Sequence, residues 1–340
     1  MRQKHFRNKV GESSLTLPFM VFVTLLSCFL QHAFDSFYLW ITLFAVGLLT
    51  YGMMEWNSQC QLLRVRSRMV SVTLLAFVAV FPRLQVISWC WLPALCLLLL
   101  YFVAFKGYGQ LKPQGWVFYS FLFASVASVI FPPILLLIPF MYFAFSHQLR
   151  VLSGKSVVAS LLGIAFPYWT YGILCLTTKW TLTFHQRIWS VTLDFHLPDY
   201  GVVQSWQWTL FTMLAVLGLI SIVHFVRTSY NDKIRTRQFF YTILALQFPI
   251  LFIVAWYPEA ASITLPMLLL NTSPFIAHYF VLARGRSVDF CFAVTLLALV
   301  VAAVFLAIGR GFPDTATFIA SIAEWFRGIL PDVSFGFWPW

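Results

Sequence analysis

The chain has 340 residues, of which 61% are hydrophobic, 19% aromatic and 10% charged. A soluble globular chain is about half apolar and about a quarter charged, so this composition excludes a soluble domain. The net charge of +11 does not call for nucleic acid as a partner, because Lys and Arg collect beside membrane helices on their cytoplasmic side.

Apolar runs of roughly 17–25 residues, each long enough to cross the hydrocarbon as a helix, recur along the chain. Without water, backbone groups must bond inside the segment, as in a helix, or around a closed barrel. Barrel strands alternate apolar and polar residues, and runs such as "LPALCLLLLYFVAF" do not. The expected fold is therefore an all-α, polytopic transmembrane bundle of about eleven spans (ten to twelve). They are placed at 17–34, 38–54, 69–82, 86–105, 116–131, 134–146, 157–176, 207–226, 238–257, 260–282 and 290–308. A single transmembrane domain, 1–308, then carries an outer loop at 177–206 and is followed by an interfacial tail at 309–340.

Orientation follows from the basic residues. With the N-terminus in the cytoplasm, inner segments hold Arg2, Lys4, Arg7, Lys9, Arg64, Arg66, Arg68, Lys106, Lys112, Arg150, Lys155, Arg227, Lys233, Arg235, Arg237, Arg284 and Arg286. The outside keeps Arg83, Lys179, Arg187, Arg310 and Arg327. A missed span would invert every later loop and destroy this bias. The location expected is a bacterial inner membrane, with membrane lipid as the first partner.

Along the chain, "LLSC" (25–28) loosely matches a lipoprotein box, but basic flanks and a multipass context favour an ordinary first span. The clusters "RVRSR" (64–68) and "NDKIRTR" (231–237) lack interleaved aromatics and read as lipid-headgroup contacts. In "NDKIRTR" the Asp and its basic neighbours also suit a helix cap. Pro132 and Pro133 imply a tight outer turn in a hairpin of short helices. Pro167 kinks the seventh span beside Tyr168, Trp169 and Tyr171, aromatics suited to stacking on a sugar ring or to packing. The six cysteines form no metal-type pair and read as apolar filler. Cys90 and Cys175 lie near outer helix ends, which leaves a disulfide open.

Two places carry candidate chemistry. The outer loop "TFHQRIWSVTLDFHLPDYG" (183–201) gathers His185, Arg187, Asp194, His196 and Asp199. Arg offers a fork of donors for phosphate, and His shuttles protons near neutral pH. His185, Arg187 and Asp194 are the catalytic candidates, with Asp194 orienting His185 as a general base. His196 and Asp199 are substrate-binding candidates. No metal signature and no glycine-rich phosphate loop occurs, so neither metal nor cofactor is expected. The bland alternative is a water-exposed loop seated in the interface by Trp189, Phe195 and Tyr200.

The second place is the tenth span, "ASITLPMLLLNTSPFIAHYFVL" (261–282). Pro266 and Pro274 bracket "NTS", and each removes a backbone donor. Asn271 lies at mid-span and His278 seven residues on, hence on the same face. Both are candidates for a midplane substrate site, since interrupted helices at this depth line such sites. Helix–helix hydrogen bonding is the structural alternative, and Gln247 beside Pro249 reads the same way. In the tail, Phe318, Ile319, Ile322, Phe326 and Ile329 recur at helical spacing, as in an amphipathic helix lying in the interface.

Three segments carry a resemblance: "LRVLSGKSVVASLLGIAFPYW" (149–169), "NDKIRTRQFFYTILAL" (231–246) and "LPMLLLNTSPFIAHYF" (265–280). They resemble a family of multi-pass inner-membrane proteins of Bacteroidota whose activity is unassigned. That resemblance implies location and topology and no site residue. A broader likeness is to glycosyltransferases that use polyprenyl-phosphate sugars, and to O-antigen ligases and polymerases. It implies a polyprenyl-phosphate-linked substrate, with His185 and Arg187 matching the late outer loop of the ligases. The first outer loop, 31–37 with Asp35 alone, departs from the glycosyltransferase pattern. Three function classes stay open: a transferase of envelope glycan or lipid-carrier metabolism, a transporter or flippase, and a non-catalytic assembly factor.

Overall fold

The structure, a computed structural model, describes residues 11, 13, 15–31, 37–65, 67–81, 83–86, 89–177, 198–283 and 285–307. Helix is the only regular structure among them. The principal helices are α1 (Thr16–Gln31), α2 (Phe37–Cys60), α3 (Met69–Val80), α4 (Trp91–Gly107), α5 (Gln114–Ile130), α6 (Leu137–His147), α7 (Gly154–Thr177), α8 (Ser205–Thr228), α9 (Ile234–Trp256), α10 (Ala261–Leu282) and α11 (Arg286–Ala307). Each overlaps one expected span. Residues 178–197 of the outer loop and the tail after 307 lie outside the described residues.

Six of these helices, α2 and α7 to α11, are long and apolar enough to cross a membrane. The other five are apolar but shorter. Helix α3 has 12 residues, a rise of about 18 Å against a hydrocarbon thickness of about 30 Å. It is buried along nearly its whole length, so it packs inside protein rather than against lipid.

Helix ends follow the prolines. Proline disfavours helical backbone in the residue before it. Phe131 (φ −135°, ψ 93°) closes α5 before Pro132, and Tyr257 (φ −118°, ψ 68°) closes α9 before Pro258. The hairpin is not a bare turn: Pro132–Leu136 form a 3-10 helix that runs straight into α6.

Helix α10 is the central post. It is apolar on all sides, as a helix enclosed by protein must be, and it packs on α3, α4, α8 and α9. Of its membrane-length window 83% is buried, against 17% for α7. The hydroxyls of Thr264, Thr272 and Ser273 turn back onto carbonyls of the preceding turn. Helix α7 sits at the periphery, packed chiefly on α5. There Ser125 donates to the Ile164 carbonyl at 2.7 Å and Ser128 meets the Tyr168 hydroxyl at 2.8 Å. Trp169 is exposed on the outward side, so it does not join Tyr168 in one aromatic cluster.

Arg64, Arg68 and Lys233 line one cavity, and Lys106 and Arg235 lie close to Cys60 at the same end of α2. Arg83, bonded to Gln204, is the described Lys or Arg at the other end. All six cysteines are free thiols, so Cys90 and Cys175 are not joined.

Candidate functional site

The basic end holds the densest polar structure among the described residues. After α2, Gln61 adopts a left-handed conformation (φ 50°) that turns the 62–65 segment back over the helix ends. Asn57 fixes this connection, donating to the Ser67 carbonyl at 2.8 Å and accepting from the Leu63 amide at 3.3 Å. Thr236, in the first turn of α9, donates to the Gln61 carbonyl at 3.3 Å. The α2–α3 and α8–α9 connections therefore lie side by side.

This juxtaposition builds a triad. Asp232, between α8 and α9, accepts from Arg64 Nε through Oδ1. Its Oδ2 lies 3.1 Å from Nε2 of His278 on α10. An ionised carboxylate only accepts hydrogen bonds, so Nε2 carries the proton. The side chains of Asp232 and His278 are buried, whereas that of Arg64 is 42% exposed. Burial alone lifts the Asp232 carboxyl. The hydrogen bonds from His278 and Arg64, together with their charge, outweigh it and hold the group below the ordinary carboxylate value. Phe225 and Phe240, stacked on each other at 4.7 Å, present themselves to the His278 ring at 5.3 and 5.2 Å. They lock its orientation.

Arg64 uses Nε on Asp232, its side chain stays 42% exposed, and it lines a cavity of about 770 Å³. Its walls include Arg64, Arg68 and Lys233, one carboxylate (Glu55, which accepts from Gln59), and the polar side chains of Asn57, Ser58, Gln61, Ser67 and Asn231. The wall sets Arg64, Arg68 and Lys233 against Glu55, with Arg64 already paired to Asp232; the donors that Arg64 and Lys233 keep suit an anion with several acceptor oxygens.

Next to it runs an apolar crevice of about 500 Å³. Leu15, Phe19 and Met20 of the α1 region form one wall and Phe292, Leu296 and Leu299 of α11 the other. Met69, Val72, Ala76 and Phe77 of α3, with Ile276 and Phe280 of α10, form the floor. The two cavities meet along the chain at Ser67–Arg68–Met69.

Of the sequence candidates, His185, Arg187, Asp194 and His196 lie outside the described residues. Asp199 is exposed and caps the turn Tyr200–Val202, accepting from the Gly201 amide at 2.9 Å. Asn271 is fully buried. Its Oδ1 accepts from the Tyr101 hydroxyl, and its amide donates to Gln247 and to the Ile243 carbonyl at 3.2 Å. All its hydrogen-bonding groups are thus engaged in tying α4, α9 and α10 together, and Gln247 is helix glue as expected. His278 shares a helix face with Asn271 but belongs to a different cluster. The sequence reading missed Arg64 and Asp232, assigning both basic clusters to lipid contact and Asp232 to a helix cap. A sole acid among basic residues, in a chain with few acids, is the signal that marks it.

The fold and the site together define a helical membrane-type bundle with an anion-suited pocket at its basic end. No protein-family model, curated protein or solved structure matches the chain.

Proposed function

We propose that the protein is a multi-pass inner-membrane protein of ten to twelve membrane helices, the shorter ones enclosed by the rest, with a cytoplasmic N-terminus, and that it handles a phosphate-bearing lipid of envelope glycan metabolism. Kinship with the Bacteroidota family belongs to this reading, as does a polyprenyl-phosphate class of substrate. The observation that carries it is Arg64. A buried carboxylate grips its Nε and aims the rest of the guanidinium into a cationic pocket. Anchored in this way, the fork is ready to take phosphate oxygens in a bidentate fashion. The positive-inside bias puts the pocket at the cytoplasmic face. His185, Arg187 and Asp194 remain the candidates for transfer chemistry on the opposite face.

The test is a titration of pyrophosphate into the purified full chain. The native protein is expected to bind, Arg64→Ala to bind at least tenfold more weakly, and Arg64→Lys, which keeps the charge and loses the fork, to fall between. Equal binding by all three contradicts the reading and leaves the assembly factor, which needs no ligand.

A transporter is the second reading, on the ground that Asn271 and His278 share one face of α10, of whose membrane-length stretch 83% is buried. Under it, Asn271→Leu blocks transport and also lowers the melting temperature, because Tyr101 and Gln247 lose their buried partner.

A further inference from the structure

We propose that the apolar crevice seats the hydrocarbon chain of the same ligand, which makes the ligand a phosphate or diphosphate ester of one long chain. This rests on the headgroup reading above and adds the part of the molecule that the polar pocket cannot hold.

Continuity is the first ground. Arg68 lines the pocket and the next residue, Met69, lines the crevice. From Met69 the floor continues along α3 to Phe77. Eight residue steps of a helix cover about 12 Å, directed from the basic end into the bundle.

The walls supply the second ground. Their threonines are turned inward on their own chain. Thr73 donates to the Val70 carbonyl at 2.9 Å, Thr295 to the Cys291 carbonyl at 2.8 Å and Thr16 to the Ser13 carbonyl at 3.0 Å. No hydroxyl proton of these threonines is left for a ligand. A peptide placed here would leave its backbone groups without partners in an apolar medium, whereas a hydrocarbon has none to satisfy.

Size is the third. A volume of about 500 Å³ falls within the roughly 300–1,000 Å³ of small-molecule sites. The cavity is a single slot between α1 and α11, suited to one chain rather than the two of a diacyl lipid.

The experiment uses the full chain in nanodiscs with three probes: inorganic pyrophosphate, farnesyl phosphate and diacyl phosphatidic acid. Ala76→Phe fills the floor of the crevice. It is expected to weaken farnesyl phosphate binding at least tenfold and to leave pyrophosphate binding unchanged. Thr295→Phe fills the slot from the opposite wall and is expected to do the same, which separates occlusion from misfolding of one variant. Native protein is expected to bind phosphatidic acid at least tenfold more weakly than farnesyl phosphate. Unchanged farnesyl phosphate affinity in both filled variants overturns the crevice assignment while the pyrophosphate arm still stands. Equal affinity for the two lipids overturns the single-chain assignment. Loss of the headgroup reading shows separately, as Arg64→Ala failing to weaken either pyrophosphate or farnesyl phosphate.

Discussion

Asp232 is a carboxylate with a buried side chain, and two partners on distant parts of the chain make that tolerable. Arg64 lies 168 positions away and His278 46. Removing one member of a buried pair strands the other, at a cost of about 3–5 kcal/mol. With Arg64 42% exposed, Asp232→Asn belongs near the lower end. The pH dependence has a definite sign. The folded Asp232 carboxyl titrates below its ordinary value of 3.8, so its stabilisation is complete above that pH. It is lost as pH falls through the lower folded value. Thermal melting from pH 7 downward should show the native protein losing its advantage over Asp232→Asn as pH falls below 3.8. A constant difference between the two curves would contradict the pairing. None of this was legible in the sequence, because helical periodicity locates faces but not which loops meet. His278 and Asn271 were legible as polar residues on one face of an apolar span. Their separation into two clusters was not, since it depends on Tyr101 and Gln247 arriving from other helices.

At the scale of elements, hydropathy located every principal helix, because apolar runs without charge have few other stable forms. Helix length was less legible. Burial inside protein lets α3 stay far shorter than the hydrocarbon is thick; the expected segment, 69–82, was already short for a span. The α5–α7 pair depends on a small residue. A Cβ at Gly163 would lie 2.5 Å from the Phe118 carbonyl oxygen and 3.2 Å from the Leu122 amide nitrogen. Small residues let helix backbones approach closely in membranes. Gly163→Leu should therefore destabilise the protein by about 1–3 kcal/mol, the range for forced overpacking. Gly115→Leu, where nothing lies within 4 Å of the added Cβ, should leave the melting temperature unchanged. Equal effects from the two would mean that α5 and α7 are not in close contact.

For the whole molecule, the charge asymmetry counted along the chain becomes a geometric one: cations crowd one end of the bundle, and the pocket opens among them. The sequence bias predicts the polarity of the molecule in its membrane, and on the proposed reading the pocket gives that polarity a use. Sidedness and ligand occupancy can be read together at Ser58, which is exposed and lines the pocket. The decisive measurement is labelling of Ser58→Cys, in a background without native cysteines, by a membrane-impermeant maleimide. Rapid labelling in inside-out vesicles, none in right-side-out vesicles, and slowing by pyrophosphate are the predicted result. Labelling confined to right-side-out vesicles, or a rate indifferent to pyrophosphate, would contradict a cytoplasmic phosphate pocket.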